Sequence, residues 1–178
     1  MIKKATMMAK IELWLNIVHY CIYKMDYKIH LLSNKINPFL LIGKIPSVER
    51  NFREQGTSLK EFGNKFWTDR RYGFGIMISG AALTVFLFFV IWASFLFVNR
   101  LLGYPLNFSW HPFVFCFAWA YFISHLFVFQ NEKYIKYFKK FDKRSKQEKR
   151  KYGVLSLAFV ASTIALVIYS FNLLPPLP

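Results

Sequence analysis

At 178 residues, 55% of them hydrophobic and 21 of them Phe, the chain still carries a formal charge of +15. Its apolar residues are bunched into three blocks almost free of charge, which excludes an ordinary soluble domain and is the pattern of a polytopic membrane protein. The basic excess comes with no nucleic-acid recognition motif and flanks the apolar blocks, so nucleic acid is excluded as a partner and an anionic lipid surface is expected.

Residues 1–71 read as a cytoplasmic basic segment of amphipathic, interfacial helices. Ile11, Leu15, Val18 and Ile22 recur at helical spacing with Trp14 beside them, which predicts a helix lying in the membrane interface. Glu12, Asn16 and His19 interrupt this stretch. It is too polar for a fourth span, and no small-residue cleavage site follows it to suggest a signal peptide. Asn37-Pro38 and Pro46 bracket a short apolar patch, and Ser47 is placed to cap a short helix ending at Gly56. Ser58 and Glu61 have the spacing of a capping box, and Trp67 is expected at headgroup depth.

Residues 72–176 read as a three-helix transmembrane domain. Its spans lie at about 73–98, 113–130 and 153–174, and a basic cytoplasmic loop occupies 131–152. In the first span Gly75, Ser79 and Gly80 form a small-residue face, in the second Cys116 and Ala120, and in the third Ala158, Ser162 and Ala165. Small residues let helices approach closely, so these faces are expected to pack inward as a bundle or to meet a partner. Residues 1–71 hold thirteen Lys or Arg against six Asp or Glu, and 131–152 holds ten against three, while the loop between the first two spans holds only Arg100. This bias predicts a multi-pass protein of a bacterial inner membrane, N-terminus cytoplasmic and C-terminus outside. Arg70, Arg71, Lys139, Lys140, Lys143, Arg144, Lys149, Arg150 and Lys151 are the candidate contacts to anionic phospholipid headgroups. After the second span, Tyr134, Ile135, Phe138 and Phe141 continue a helical apolar pattern through the lysines, which predicts a surface helix. The tail NLLPPLP cannot be helical through Pro175 and Pro176.

The only intramembrane ionisable residue is His125, with Ser124 beside it, and this pair is the candidate polar site. It lacks a carboxylate to orient the imidazole, and no hydrolase motif occurs. His111 and His125, fourteen residues apart, share a helix face, but a haem between them needs ligands that no second helix supplies. Cys21 and Cys116 have no metal-ligand partners in sequence, and no disulfide is expected between them. The reading is therefore an all-α integral membrane protein with no catalytic, cofactor or metal site. It acts through helix contacts as an accessory, assembly or immunity-type subunit, with a membrane-protein partner. The alternative is a self-assembling homo-oligomeric pore.

Overall fold

The structure, a computed structural model, describes residues 7–103 and 110–172. Part of the loop between the first two spans, 104–109, and the tail from 173 onward lie outside them. Every regular element among the described residues is helical: α1 (Met7–Ser33), α2 (Phe39–Ile42), α3 (Pro46–Glu54), α4 (Leu59–Thr68), α5 (Phe74–Leu101), α6 (Trp110–Ser124), α7 (Lys133–Asp142) and α8 (Lys146–Phe171). A π-helical turn, His125–Phe129, and a 3-10 turn, Gln130–Glu132, join α6 to α7. Three helical stretches are long and apolar enough to cross a membrane: α5, α6 with its continuation, and α8. At most 33% of the apolar window of any of them is buried within the protein. The rest is exposed apolar surface of an extent that water does not tolerate on a monomer.

By contacts the chain divides into two compact units, Met1–Cys21 with Ala81–Pro178, and Ile22–Gly80. The division predicted between 71 and 72 follows hydropathy, whereas the units follow packing, and α1 and α5 each contribute residues to both.

In the unit Ile22–Gly80, the end of α1 packs on α4. Trp67 stacks on the His30 ring at 4.1 Å and 12°, and its indole Nε1–H donates to Asp26 Oδ2 at 2.8 Å. Trp67 is thus held by protein groups, where headgroup contact was expected. Tyr23 OH donates to the Thr68 carbonyl at 3.0 Å, and Asn34 Nδ2 donates to Asn64 Oδ1 at 2.8 Å. The capping box expected at Ser58 forms: the Glu61 N–H donates to Ser58 Oγ and the Ser58 N–H to Glu61 Oε2, both at 3.2 Å. Ser47 does not cap α3. Pro46 occupies the first helical position and Ile45 the cap, because a proline there loses no hydrogen bond. Gly56, at φ +67°, ends the turn after α3. Asp69 stops α4, and the N–H groups of Arg71 and Tyr72 donate to its Oδ1 at 2.7 and 3.2 Å. Those two donors hold its carboxyl below the usual range.

The larger unit is organised around α1. Leu15, Asn16, Ile17, Val18, His19 and Tyr20 are all buried. Six consecutive buried residues cover every side of a helix, so this segment is a core helix and not the one-sided interfacial helix that its apolar spacing suggested. Trp14 meets Phe159 of α8 edge-on at 4.7 Å, and His19 and Tyr20 meet Phe138 of α7 at 5.2 and 5.3 Å. α5 and α6 pack through Phe88 and Phe113 at 4.7 Å, and Thr84 Oγ1 lies 3.0 Å from Ser124 Oγ.

The basic segment 131–152 is largely helical, as its apolar spacing predicted. α7 buries Tyr134, Phe138 and Phe141 at helical spacing. A second capping box starts α8 inside the basic run, with the Glu148 N–H donating to Ser145 Oγ at 3.3 Å and the Ser145 N–H to Glu148 Oε2 at 3.1 Å. The second apolar stretch ends where the sequence put it, just past residue 130. Asn131 (φ 56°, ψ 30°) and Glu132 (φ 53°, ψ 35°) are consecutive left-handed residues, and they break the helix.

Side chains with a Cβ resist that conformation at about 1–2 kcal/mol each, Asn least of all. The variant Asn131→Val, branched at Cβ, is therefore expected to lower stability by about 2 kcal/mol, with Asn131→Gly neutral or better. Thermal melts in detergent compare the two.

Candidate functional site

A helix that ends inside a protein leaves its last carbonyls without partners, and each must be satisfied. At the break after α6 two side chains do this. Asn16 of α1 donates through Nδ2 to the Phe127 carbonyl at 3.0 Å and to its own helix at Glu12 O, 2.8 Å. Lys133, the first residue of α7, donates through Nζ to the Leu126 carbonyl at 3.1 Å. Its ammonium also suits the negative end of the α6 dipole.

The same ammonium reaches Glu12 Oε2 at 2.9 Å, and Tyr137 OH donates to Glu12 Oε1 at 3.0 Å. Further along, Tyr20 OH donates to Asp142 Oδ1 at 2.8 Å, and Lys149 of α8 donates to the Asp142 carbonyl at 2.7 Å. One strip of α1, comprising Glu12, Asn16, His19 and Tyr20, thus meets α7 and the break along their length. His19 sits in a ring of Phe129, Tyr134 and Phe138, with centroids at 5.4, 5.8 and 5.2 Å. Burial among these rings lowers its pKa to about 3, so the imidazole is neutral.

This cluster carries no nucleophile beside a base. Its carboxylates are engaged by Lys133, Tyr137 and Tyr20, and its chemistry is that of a clamp. No group of three or more His, Cys, Asp or Glu able to hold a metal ion occurs among the described residues. Sequence reasoning treated Glu12, Asn16 and His19 as interruptions. The signal that identifies them is their own helical spacing, four and then three residues, which aligns polar groups on one strip of an otherwise apolar helix.

The residues singled out from sequence fall in different places. Ser124 is buried against Thr84, whereas His125, the next residue, is exposed with its ring alongside Tyr121, so the two do not form a joint site. His111 is exposed and stacked on Trp110. Gly75, Ser79 and Gly80 are buried, and a Cβ at Gly75 would lie 2.8 Å from the Trp67 carbonyl and 3.1 Å from Tyr23. The close approach there is to α4 and α1, not to another span. Cys116 and Ala120 are buried on one stripe of α6, with Ser124 continuing it. Cys21 is half-buried, and both cysteines are free thiols.

On α8 the small-residue face does not pack inward. Ala158, Ser162 and Ala165 are exposed, and the buried stripe is Ser156, Thr163 and Ser170. Thr163 and Ser170 donate to their own helix at Phe159 O and Val167 O. Lys139, Lys140, Lys143, Arg71, Arg150 and Lys151 are exposed. Arg70 and Arg144 are half-buried, Arg144 in an ion pair with Glu148 at 2.8 Å, and Lys149 is drawn inward to Asp142. Comparison of the chain with protein families, with curated proteins and with solved structures finds no match.

Two outcomes test the clamp. Asn16→Leu leaves the Phe127 carbonyl without its donor and is expected to cost about 1–3 kcal/mol in a thermal or denaturant melt. The second is a pH dependence. Unfolding returns His19 to an ordinary pKa near 6.5, where it takes up a proton that the folded chain refuses. Its contribution to stability is complete above that value and is lost as pH falls toward 3, by up to about 1.4 kcal/mol per unit. Melts between pH 7 and 5 should show this slope in the wild type and lack it in His19→Gln.

Proposed function

We propose that this protein is a non-enzymatic subunit of a bacterial inner membrane that acts through helix contacts, as an accessory, assembly or immunity-type partner of another membrane protein. The observation that supports this reading most is the outward face of α8. Ala158, Ala161, Ser162 and Ala165 are exposed together on a helix whose other outward residues, Leu155, Leu157, Ile164 and Ile168, are large. In a bilayer a bulky apolar side chain gains as much from lipid as from protein. A furrow of small side chains instead suits the close approach of another helix. The proposed orientation, N-terminus cytoplasmic and C-terminus outside, rests on the Lys and Arg excess in 1–71 and 131–152.

A pore between copies of this chain draws less support. The buried hydroxyls of Ser79, Thr163 and Ser170 are spent on carbonyls of their own helices. The outward faces of α5, α6 and α8 are dominated by large apolar residues, where a conducting pore needs a wettable lining.

The double variant Ala161→Leu with Ala165→Leu fills the furrow and leaves the buried stripe untouched. Purification from native membranes in mild detergent, with intact-complex mass measurement, should find the wild type bound to a second membrane protein at fixed ratio. The double variant should reduce that complex at least tenfold with an unchanged melting temperature. A lipid-surrounded monomer, or a complex indifferent to the double variant, would overturn the reading, and a homo-oligomer would favour the pore.

A further inference from the structure

Just above that furrow, where the charged start of α8 gives way to its apolar body, lies a shallow, wide-open surface groove whose described lining comes from α8. Gln147, Arg150 and Lys151 line one end of it, and Val154, Leu155 and Ala158 the other. All six are exposed. At about 100° per residue they fall on one side of the helix, so polar and apolar ends succeed each other along the axis. Their neighbours differ in kind: Lys149 is bonded to the Asp142 carbonyl and Arg144 to Glu148, whereas the side chains of Arg150 and Lys151 make no hydrogen bond or ion pair with the described residues. The groove therefore offers two uncompensated cations at one end and an alkyl surface at the other.

We propose that this groove binds one anionic phospholipid of the surrounding bilayer. Arg150 presents a planar fork of N–H donors to the phosphodiester, Lys151 adds a second positive charge, and the Gln147 amide donates to the headgroup or glycerol oxygens. The first part of an acyl chain lies on Val154, Leu155 and Ala158, where the single methyl of Ala158 leaves it room. Charge complementarity selects the occupant. A zwitterionic lipid brings no net charge to two cations, and a soluble phosphate leaves the apolar half of the groove bare. The last charged residue of α8, Lys151, is also the place where a helix entering a bilayer passes the phosphate layer. The site ends at Ala158, at the upper edge of the Ala161–Ala165 furrow, and does not depend on what that furrow binds.

The test is native mass spectrometry of the purified full chain in mild detergent, titrated with phosphatidylglycerol and, separately, phosphatidylcholine. The expected result is a one-to-one adduct with phosphatidylglycerol that forms at least tenfold more tightly than with phosphatidylcholine. Arg150→Gln with Lys151→Gln should weaken it about thirty-fold, roughly fivefold for each cation removed near the surface. Ala158→Trp, which fills the apolar end, should weaken binding of both lipids, and Lys60→Gln with Lys65→Gln, two exposed cations of α4, should leave it unchanged. Equal binding of the two lipids, or equal loss in the Lys60/Lys65 variant, would reduce the effect to diffuse charge and overturn the proposal. So would displacement of the lipid by millimolar inorganic phosphate, or a lipid-free dimer whose formation ignores the Arg150 and Lys151 substitutions.

Discussion

The larger unit depends on one requirement: the carbonyls freed where the second apolar helix breaks must find donors. Asn131 and Glu132 turn the chain out of the helix through two left-handed residues. With no water at hand in an apolar interior, each carbonyl left bare costs as much as a lost hydrogen bond or more. Asn16 and Lys133 supply the donors, although the buried Asn16 Oδ1 itself finds no partner among the described residues. Asn16 spends its second N–H on Glu12 O within α1, and Lys133 is neutralised by Glu12, which also accepts from Tyr137. The break in one helix and the presence of another are therefore a single feature. Without α1 the break would be unsatisfied, and without the break α7 could not fold back to lay Tyr134, Phe138 and Phe141 against His19 and Tyr20.

The parts of the fold readable from sequence are those determined by neighbours in the chain. The three apolar blocks are visible because length and hydropathy alone distinguish them, and the Ser58–Glu61 box because its partners are three residues apart. The role of Met7–Ser33 is not visible in the same way. A helix with Glu12, Asn16 and His19 among apolar residues has the polarity of an interfacial helix whether those groups meet headgroups or meet Phe127 O, Lys133 and a ring of aromatics. The difference lies more than a hundred residues away in the chain, in a break made by Asn131 and Glu132, neither of which is a glycine that would have marked it.

α8 shows the same limit from another side. Its small residues fall on two stripes: Ala158, Ala161, Ser162 and Ala165 on one, and Ser156, Thr163 and Ser170 on the other. Their spacing alone cannot say which faces inward, and the alanine stripe looked the better packing surface. Trp14 decides between them. Its contact with Phe159, which Phe86 of α5 also meets, turns inward the side that carries Ser156 and Thr163, about 160° and about 140° around the helix from Ala158 at about 100° per residue.

What faces outward on α8 thus follows from what α1 does in the core. A helix too polar to span by its own composition occupies the interior position that a three-helix bundle would give to the alanines, and the alanine stripe of the third apolar helix is left outside. The cations divide by the same logic. Lys133, Arg144 and Lys149 lie on sides that turn toward α1, Glu148 or Asp142 and are consumed by structure, whereas Arg150 and Lys151 follow the rotation of α8 outward, in line with the alanines. The exposed small-residue furrow and the cationic groove above it are two consequences of one rotation, and that rotation is set by the aromatic contact of α1.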